Sequence, residues 1–193
     1  HNNQISYLLS IEDGNTLAHL YFGKAIREYH GGLRYPRLDR GFSGNLPGSL
    51  DRTFSKDSLP QEYSCAGEMD FRTPATIVRQ KDGSNATFLT YESYKIVQGK
   101  PNLEGLPHSW VKNKEEAATL IITLKDKYGD LKFDLLYTIY RDRPIIVRSV
   151  KVRNTGKDTL NLEKVSSMQM DFVDRNFDMI TLPGAHAHER HMQ

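Results

Sequence analysis

A chain of 193 residues, 38% hydrophobic and 26% charged, is long enough to bury one sizeable core and to stay undivided as an all-β domain. Its 26 basic residues nearly balance 24 acidic ones and no basic block of five occurs, so the electrostatic footprint of phosphate-backbone binding is missing and nucleic acid is not an expected partner. Cys65 is the single cysteine, which rules out an intrachain disulfide, and no apolar run reaches the length of a membrane span.

Residues 1 to 34 predict two or three strands, with a helical turn near Lys24 to Tyr29. The opening residues lack the charged-then-apolar layout of a signal peptide. Together with the lone cysteine, this predicts a soluble, cytoplasmic protein.

Residues 35 to 75 break the rhythm. Prolines at 36, 47, 60 and 74 and glycines at 41, 44, 48 and 67 punctuate a stretch without sustained periodicity. So long a structureless segment is usually functional or disordered. Its aromatics (Tyr35, Phe42, Phe54, Tyr63 and Phe71) argue for order, because solvated linkers are poor in them. An ordered excursion that contacts something is expected. It carries Asp39, Asp51, Asp57, Glu62, Glu68 and Asp70, two of which could serve as an acid–base pair, although turn and capping duties suit each of them alone. Cys65 has no histidine beside it and reads as a buried, inert thiol. "GFSG" at 41 to 44 lacks the spacing of a nucleophile elbow, and no glycine loop of the phosphate-cradling kind is present.

Asn85-Ala86-Thr87 matches a glycosylation acceptor pattern, a short match that arises often by chance. Trp110, in "GLPHSWV", admits two readings. It suits a stacking platform for a sugar, since an indole face meets the apolar face of a pyranose while neighbouring charged groups bind hydroxyls. It equally suits a partly buried core position beside a strand.

Period-two alternation dominates the second half. In "KFDLLYTIY", Phe133, Leu135, Tyr137 and Ile139 share one parity, while Lys132, Asp134 and Thr138 take the other. Lys127 to Asp130 separate two such runs and predict a hairpin, and Asn154-Thr155-Gly156 marks another turn. Beyond it, Leu160, Leu162, Met168, Met170 and Phe172 fall on one parity. Stacked faces of this kind make sandwiches. The fold class expected is all-β: a large antiparallel sandwich with one long ordered loop excursion and little helix.

The chain closes on "LPGAHAHERHMQ". Imidazole and carboxylate groups at His186, His188, Glu189 and His191 have metal-ligand character. Their spacing does not converge. On a strand His186 and His188 face away from Glu189 and His191, and on a helix His186 lies apart, so an exposed polar terminus is expected and no metal is assigned.

Several motifs together go further. "LAHLYFGK" (17 to 24), "YPRLDRGFS" (35 to 43), "DRTFSKDSLPQEYSCAGEMDFRTPA" (51 to 75), "GKPNLEGLP" (99 to 107) and "DFVDRNFDMITLPGAHAHERH" (171 to 191) are similar to the amino-terminal domain of bacterial alpha-galactosidases of glycoside hydrolase family 36. The likeness runs in order across nearly the whole chain. It implies that residues 1–193 form an amino-terminal β-supersandwich, followed after Gln193 by a catalytic (β/α)8 barrel. In the family the last motif usually reads like "GAWARERH", which makes His186 and His188 local variants and weakens a metal role further.

The resemblance implies a retaining alpha-galactosidase acting on terminal alpha-linked galactose, as in melibiose and raffinose, without a cofactor. Retention uses two carboxyls about 5–5.5 Å apart. In the family both are barrel aspartates, at the carboxyl ends of barrel strands. The chain alone is therefore expected to be inert. Many members resemble one another in forming tetramers in which this domain reaches a neighbouring subunit's pocket. By motif, Asp39 and Arg52 would bind substrate there: Asp39 as acceptor for galactose hydroxyls, Arg52 as its brace or as a bridge to the neighbour. An autonomous carbohydrate-binding module using Trp110 is the rival reading, and a metal-dependent protein using the terminal histidines is the third.

Overall fold

The computed structural model describes residues 1–31, 37, 39, 44–105, 107–172, 176–190 and 192. Eight strands lie among them: β1 (Ile5–Glu12), β2 (Thr16–Lys24), β3 (Thr76–Arg79), β4 (Leu89–Gln98), β5 (Ala117–Asp126), β6 (Leu131–Tyr140), β7 (Ile146–Asn154) and β8 (Asn161–Val165). Among the described residues helix is confined to two short 3-10 turns, Asp13–Asn15 and Lys114–Glu116. All strand pairs are antiparallel, so the all-β expectation holds.

β4 to β7 form a four-stranded meander in chain order. Residues 127–130 make the β5–β6 turn, with Leu124 opposite Phe133 and Lys125 opposite Lys132. The alternation then does what the pleat requires. Phe133, Leu135 and Tyr137 are buried on one face, and burial of a side chain of this size contributes about 1.5–3 kcal/mol. The other face carries charge: Arg153 forks Asp134 at 2.9 and 2.7 Å, Thr123 donates to the same carboxylate at 2.8 Å, and Lys132 reaches Glu92 at 2.6 Å.

The second layer is the β1–β2 hairpin and the β3–β8 pair, and the excursion joins them. His19 N–H donates to Pro60 O at 2.9 Å and Glu62 N–H to Leu17 O at 3.0 Å, an antiparallel bridge centred on Ala18 and Gln61. Cys65 then bridges Thr76 in parallel. Tyr63 and Cys65 thereby enter the core, with the Tyr63 ring 5.8 Å from that of Phe133 across the layers.

Two local expectations fail. Residues 24 to 29 form no helical turn: Ala25 N–H donates to Gln4 O at 3.0 Å and Ile26 N–H to Ser6 Oγ at 2.8 Å, which keeps the chain extended beside β1. The parity of 160 to 172 is not one buried face either. Leu160 packs on the core, but Leu162, Met168 and Phe172 are exposed. After β8 the described residues form no ladder. The chain is held instead by Tyr63 Oη donating to Ser166 O at 2.9 Å and by Gln169 Oε1, which accepts from Ser64 N–H and Oγ–H.

Candidate functional site

Most of the excursion's carboxylates are spent on holding it down. Glu62, fully buried, accepts from Tyr7 Oη at 2.8 and 2.9 Å and from Tyr137 Oη at 2.9 Å. Arg148 Nη1 pairs with it at 2.7 Å, and His19 Nδ1 lies 3.4 Å away. These partners come from β1, β6, β7 and β2, so one carboxylate fastens the excursion to both layers. Burial first, then the Glu62 charge, pushes the Tyr7 and Tyr137 hydroxyls well above the usual phenol range and keeps them neutral donors.

Glu68 and Lys56 form a second buried pair at 2.6 Å, with Lys56 Nζ 3.9 Å from the centre of the Phe88 ring. Burial raises the Glu68 carboxyl, against the lowering effect of Lys56. Asp70 is gripped by Arg72 through Nε at 2.9 Å and Nη2 at 2.7 Å, and by Gln61 at 2.8 Å. Asp51 caps its own turn, accepting from Thr53 N–H and Oγ–H at 2.8 and 2.6 Å. Capping or bracing thus accounts for Asp51, Glu62, Glu68 and Asp70.

Asp39 differs. Arg52 Nε lies 3.3 Å from Asp39 Oδ1, and both side chains are open, Asp39 at 62% and Arg52 at 58% exposure. The sequence-predicted site residues are therefore brought together as a pair on the surface. A neighbouring cation ties down the chain beside the pair. Arg37 donates to Asp13 Oδ2 at 2.6 Å, approaches Asp51 Oδ2 at 3.5 Å and Glu12 Oε2 at 3.9 Å, and lies 5.2 Å from the centre of the Phe54 ring. Residues 37 and 39 on one limb of the excursion thus meet residues 51 and 52 on the other by two adjacent ion pairs, and Arg37 ties both limbs to the β1–β2 turn. The hydrogen bond that Arg37 donates to Asp13 does most to raise the guanidinium above its ordinary value and secures its charge. Sequence reading missed Arg37, although it stands two residues before Asp39 in "PRLDR".

Elsewhere the described residues offer little for bond making. The Cys65 thiol is fully buried, donates to Thr87 O at 3.0 Å and is pushed well up by burial, as its inert reading required. His186, His188 and Glu189 are exposed, and His191 lies outside the described residues. No group of three or more potential metal ligands occurs among the described residues. Trp110 contradicts the core reading: it is 64% exposed, because the segment before the Lys114–Glu116 turn lies outside both layers. No helix among the described residues is long and apolar enough to cross a membrane.

The described residues thus form an all-β domain that carries an exposed Asp39–Arg52 pair. Residues 15–193 match the Glycosyl hydrolase family 36 N-terminal domain. The chain belongs to this family. It is 72% identical over all of its 193 residues to alpha-galactosidase Mel36A of Lactobacillus acidophilus, covering 26% of that protein. Its fold superposes with a TM-score of 0.94 on the crystal structure of the family 36 alpha-galactosidase AgaA from Geobacillus stearothermophilus, at 42% identity over 100% of this chain and 27% of that one. A variant of AgaA in complex with raffinose matches with a TM-score of 0.93, at the same identity and coverage. The chain thus spans about a quarter of the length of the relatives it matches.

Proposed function

We propose that the chain works as the non-catalytic amino-terminal domain of a cytoplasmic, retaining alpha-galactosidase that removes terminal alpha-linked galactose from oligosaccharides such as melibiose and raffinose. In this reading a catalytic barrel follows Gln193 and supplies nucleophile and acid/base. The domain contributes to a homotetramer and to a neighbouring subunit's pocket, where Asp39 accepts hydrogen bonds from galactose hydroxyls and Arg52 braces it. The observation that carries the reading is the 72% identity to an alpha-galactosidase over the whole chain. That relative carries the matching stretch as about a quarter of a longer protein, which favours a domain of an enzyme over an autonomous carbohydrate-binding module.

The exposed Asp39–Arg52 pair supports the substrate role. An exposed carboxylate on a limb pinned by Arg37 is oriented before a ligand arrives, and such preorganisation lowers the cost of binding. Incubating the 193-residue chain with a chromogenic alpha-galactoside tests the division of labour. No turnover is expected, because loss of both nucleophile and acid/base leaves no partial activity to detect. Turnover that survives contaminant controls would overturn the reading.

A further inference from the structure

Trp110 stands in a cleft that the proposed role of Asp39 and Arg52 does not use. The cleft, about 690 Å³, lies between residues 108–112 and the β6–β7 turn. That volume is within the range of small-ligand sites, about 300–1,000 Å³. Tyr140, Ile145 and Val147 provide apolar walls, while Lys112, Asp142 and Arg143 add exposed charge.

Both rims are fixed without a ligand. On one side Glu116 accepts from the backbone of Asn113 at 3.2 Å in a capping box, and Tyr140 Oη donates to Trp110 O at 3.4 Å. On the other, Asn2 Nδ2 donates to Tyr140 O at 2.6 Å and Arg143 O at 2.8 Å, and Gln4 Nε2 to Asp142 O at 3.2 Å. The indole is thus held in water by a braced loop, although its apolar face favours burial.

We infer that this cleft is a second carbohydrate-binding site, which seats one pyranose ring of a neutral oligosaccharide against Trp110. The charge pattern chooses the ligand class. Lys112 and Arg143 oppose Asp142 and Glu116, with His108 the one other imidazole, ammonium, guanidinium or carboxyl group among the described lining residues, so the cleft lacks the cluster of like charges that recognises a phosphate, a nucleotide or an acidic peptide. Donors and acceptors around one exposed aromatic face instead match hydroxyls around an apolar ring. The site stands apart from the Asp39–Arg52 pair. Asn2 and Gln4 hold the cleft where β1 begins, while Glu12 and Asp13 hold Arg37 where it ends. The eight residues of β1 separate those points by roughly 25 Å.

Trp110 is the only tryptophan of the chain, so its fluorescence reads the cleft directly. Titrating the 193-residue chain with raffinose should give a saturable shift in emission with a millimolar midpoint, and should reduce quenching by acrylamide. Asp142→Asn combined with Arg143→Ala should weaken the midpoint about tenfold, while Asp39→Asn should leave it unchanged, which separates this site from the proposed pocket role. No saturable change at high millimolar raffinose, or an equal response to glycerol, would overturn the proposal. Concentration-dependent burial of Trp110 without sugar would also overturn it, by showing the cleft to be a contact between copies. A far-ultraviolet spectrum lacking strand would overturn the preformed cleft itself.

Discussion

Arg37 donates to Asp13 across the β1–β2 turn at 2.6 Å, and through the same nitrogen approaches Asp51 at 3.5 Å. This contact sets where the limb carrying Asp39 sits relative to the limb carrying Arg52. If Asp39 binds substrate as proposed, Arg37→Ala in the complete enzyme should raise KM about three- to tenfold, with a smaller effect on kcat, because it would loosen that group and leave the reacting groups alone. Arg37→Lys should recover only part of the loss, since an ammonium lacks the planar guanidinium that lies over Phe54 and the second nitrogen that approaches Glu12. Stability should change by about 1 kcal/mol or less, as expected for a partly exposed ion-pair cluster. Unaltered KM in both variants would show that Arg37 positions nothing.

Glu62 is the reverse case, a buried charge with a structural duty. Glu62→Leu leaves Arg148 buried without its counter-charge and two tyrosine hydroxyls without an acceptor. Breaking such a pair costs about 3–5 kcal/mol. Glu62→Gln should cost less, because its amide oxygen still accepts. Urea unfolding followed by circular dichroism measures both; a loss below about 1 kcal/mol for Glu62→Leu would contradict the hub.

Acid should loosen the excursion through Asp70. Burial pushes its carboxyl up, but the hydrogen bonds and charge of Arg72, with Gln61, outweigh burial and hold it below the ordinary value. A depressed carboxylate contributes stability that is present above about pH 4 and is lost as pH falls through the lowered value. Asp70→Asn should therefore destabilise the chain at pH 7 and flatten the acid limb of its stability curve. The flattening is partial, since Asp51, Asp82 and Asp134 are lowered as well. Glu68 acts with the opposite sign: burial raises it, so its ionisation works against the fold as pH rises. Urea midpoints between pH 3 and pH 7 would show whether the acid limb depends on Asp70.

Cys65 should be silent until the chain unfolds. Its thiol is buried and raised well above the ordinary value, so the reactive thiolate is scarce and shielded. A thiol-reactive chromogen should label less than about a tenth of the native protein, and one thiol per chain in denaturant. Rapid native labelling would show that the bridge from Cys65 to Thr76 opens.

The strands with one buried face were legible, because Phe133, Leu135 and Tyr137 repeat at the period of the pleat. β4 was not read in the same way, because Tyr94 and Ile96 lie exposed where apolar side chains suggest a core. The order of residues 44–75 was legible from Phe54 and Tyr63, which are buried, while Tyr35 and Phe42 lie outside the described residues. The role of this stretch as the middle of the second layer was not, since single bridges such as Ala18 to Gln61 carry no periodicity. Asp39 and Arg52 came from motif resemblance. Their pairing, and the Arg37 tie beneath it, join residues 13 and 14 positions apart or more, and local pattern cannot reveal such contacts.

The central claim is that Asp39 binds substrate in the complete enzyme, and steady-state kinetics of Asp39→Asn test it most directly. Loss of a charged acceptor should lower kcat/KM roughly tenfold or more. Thermal stability and assembly should stay near wild type, because the Asp39–Arg52 pair is exposed and such pairs add little to the fold. Intact kinetics together with unfolding or dissociation of the protein would contradict the claim and make Asp39 a structural residue.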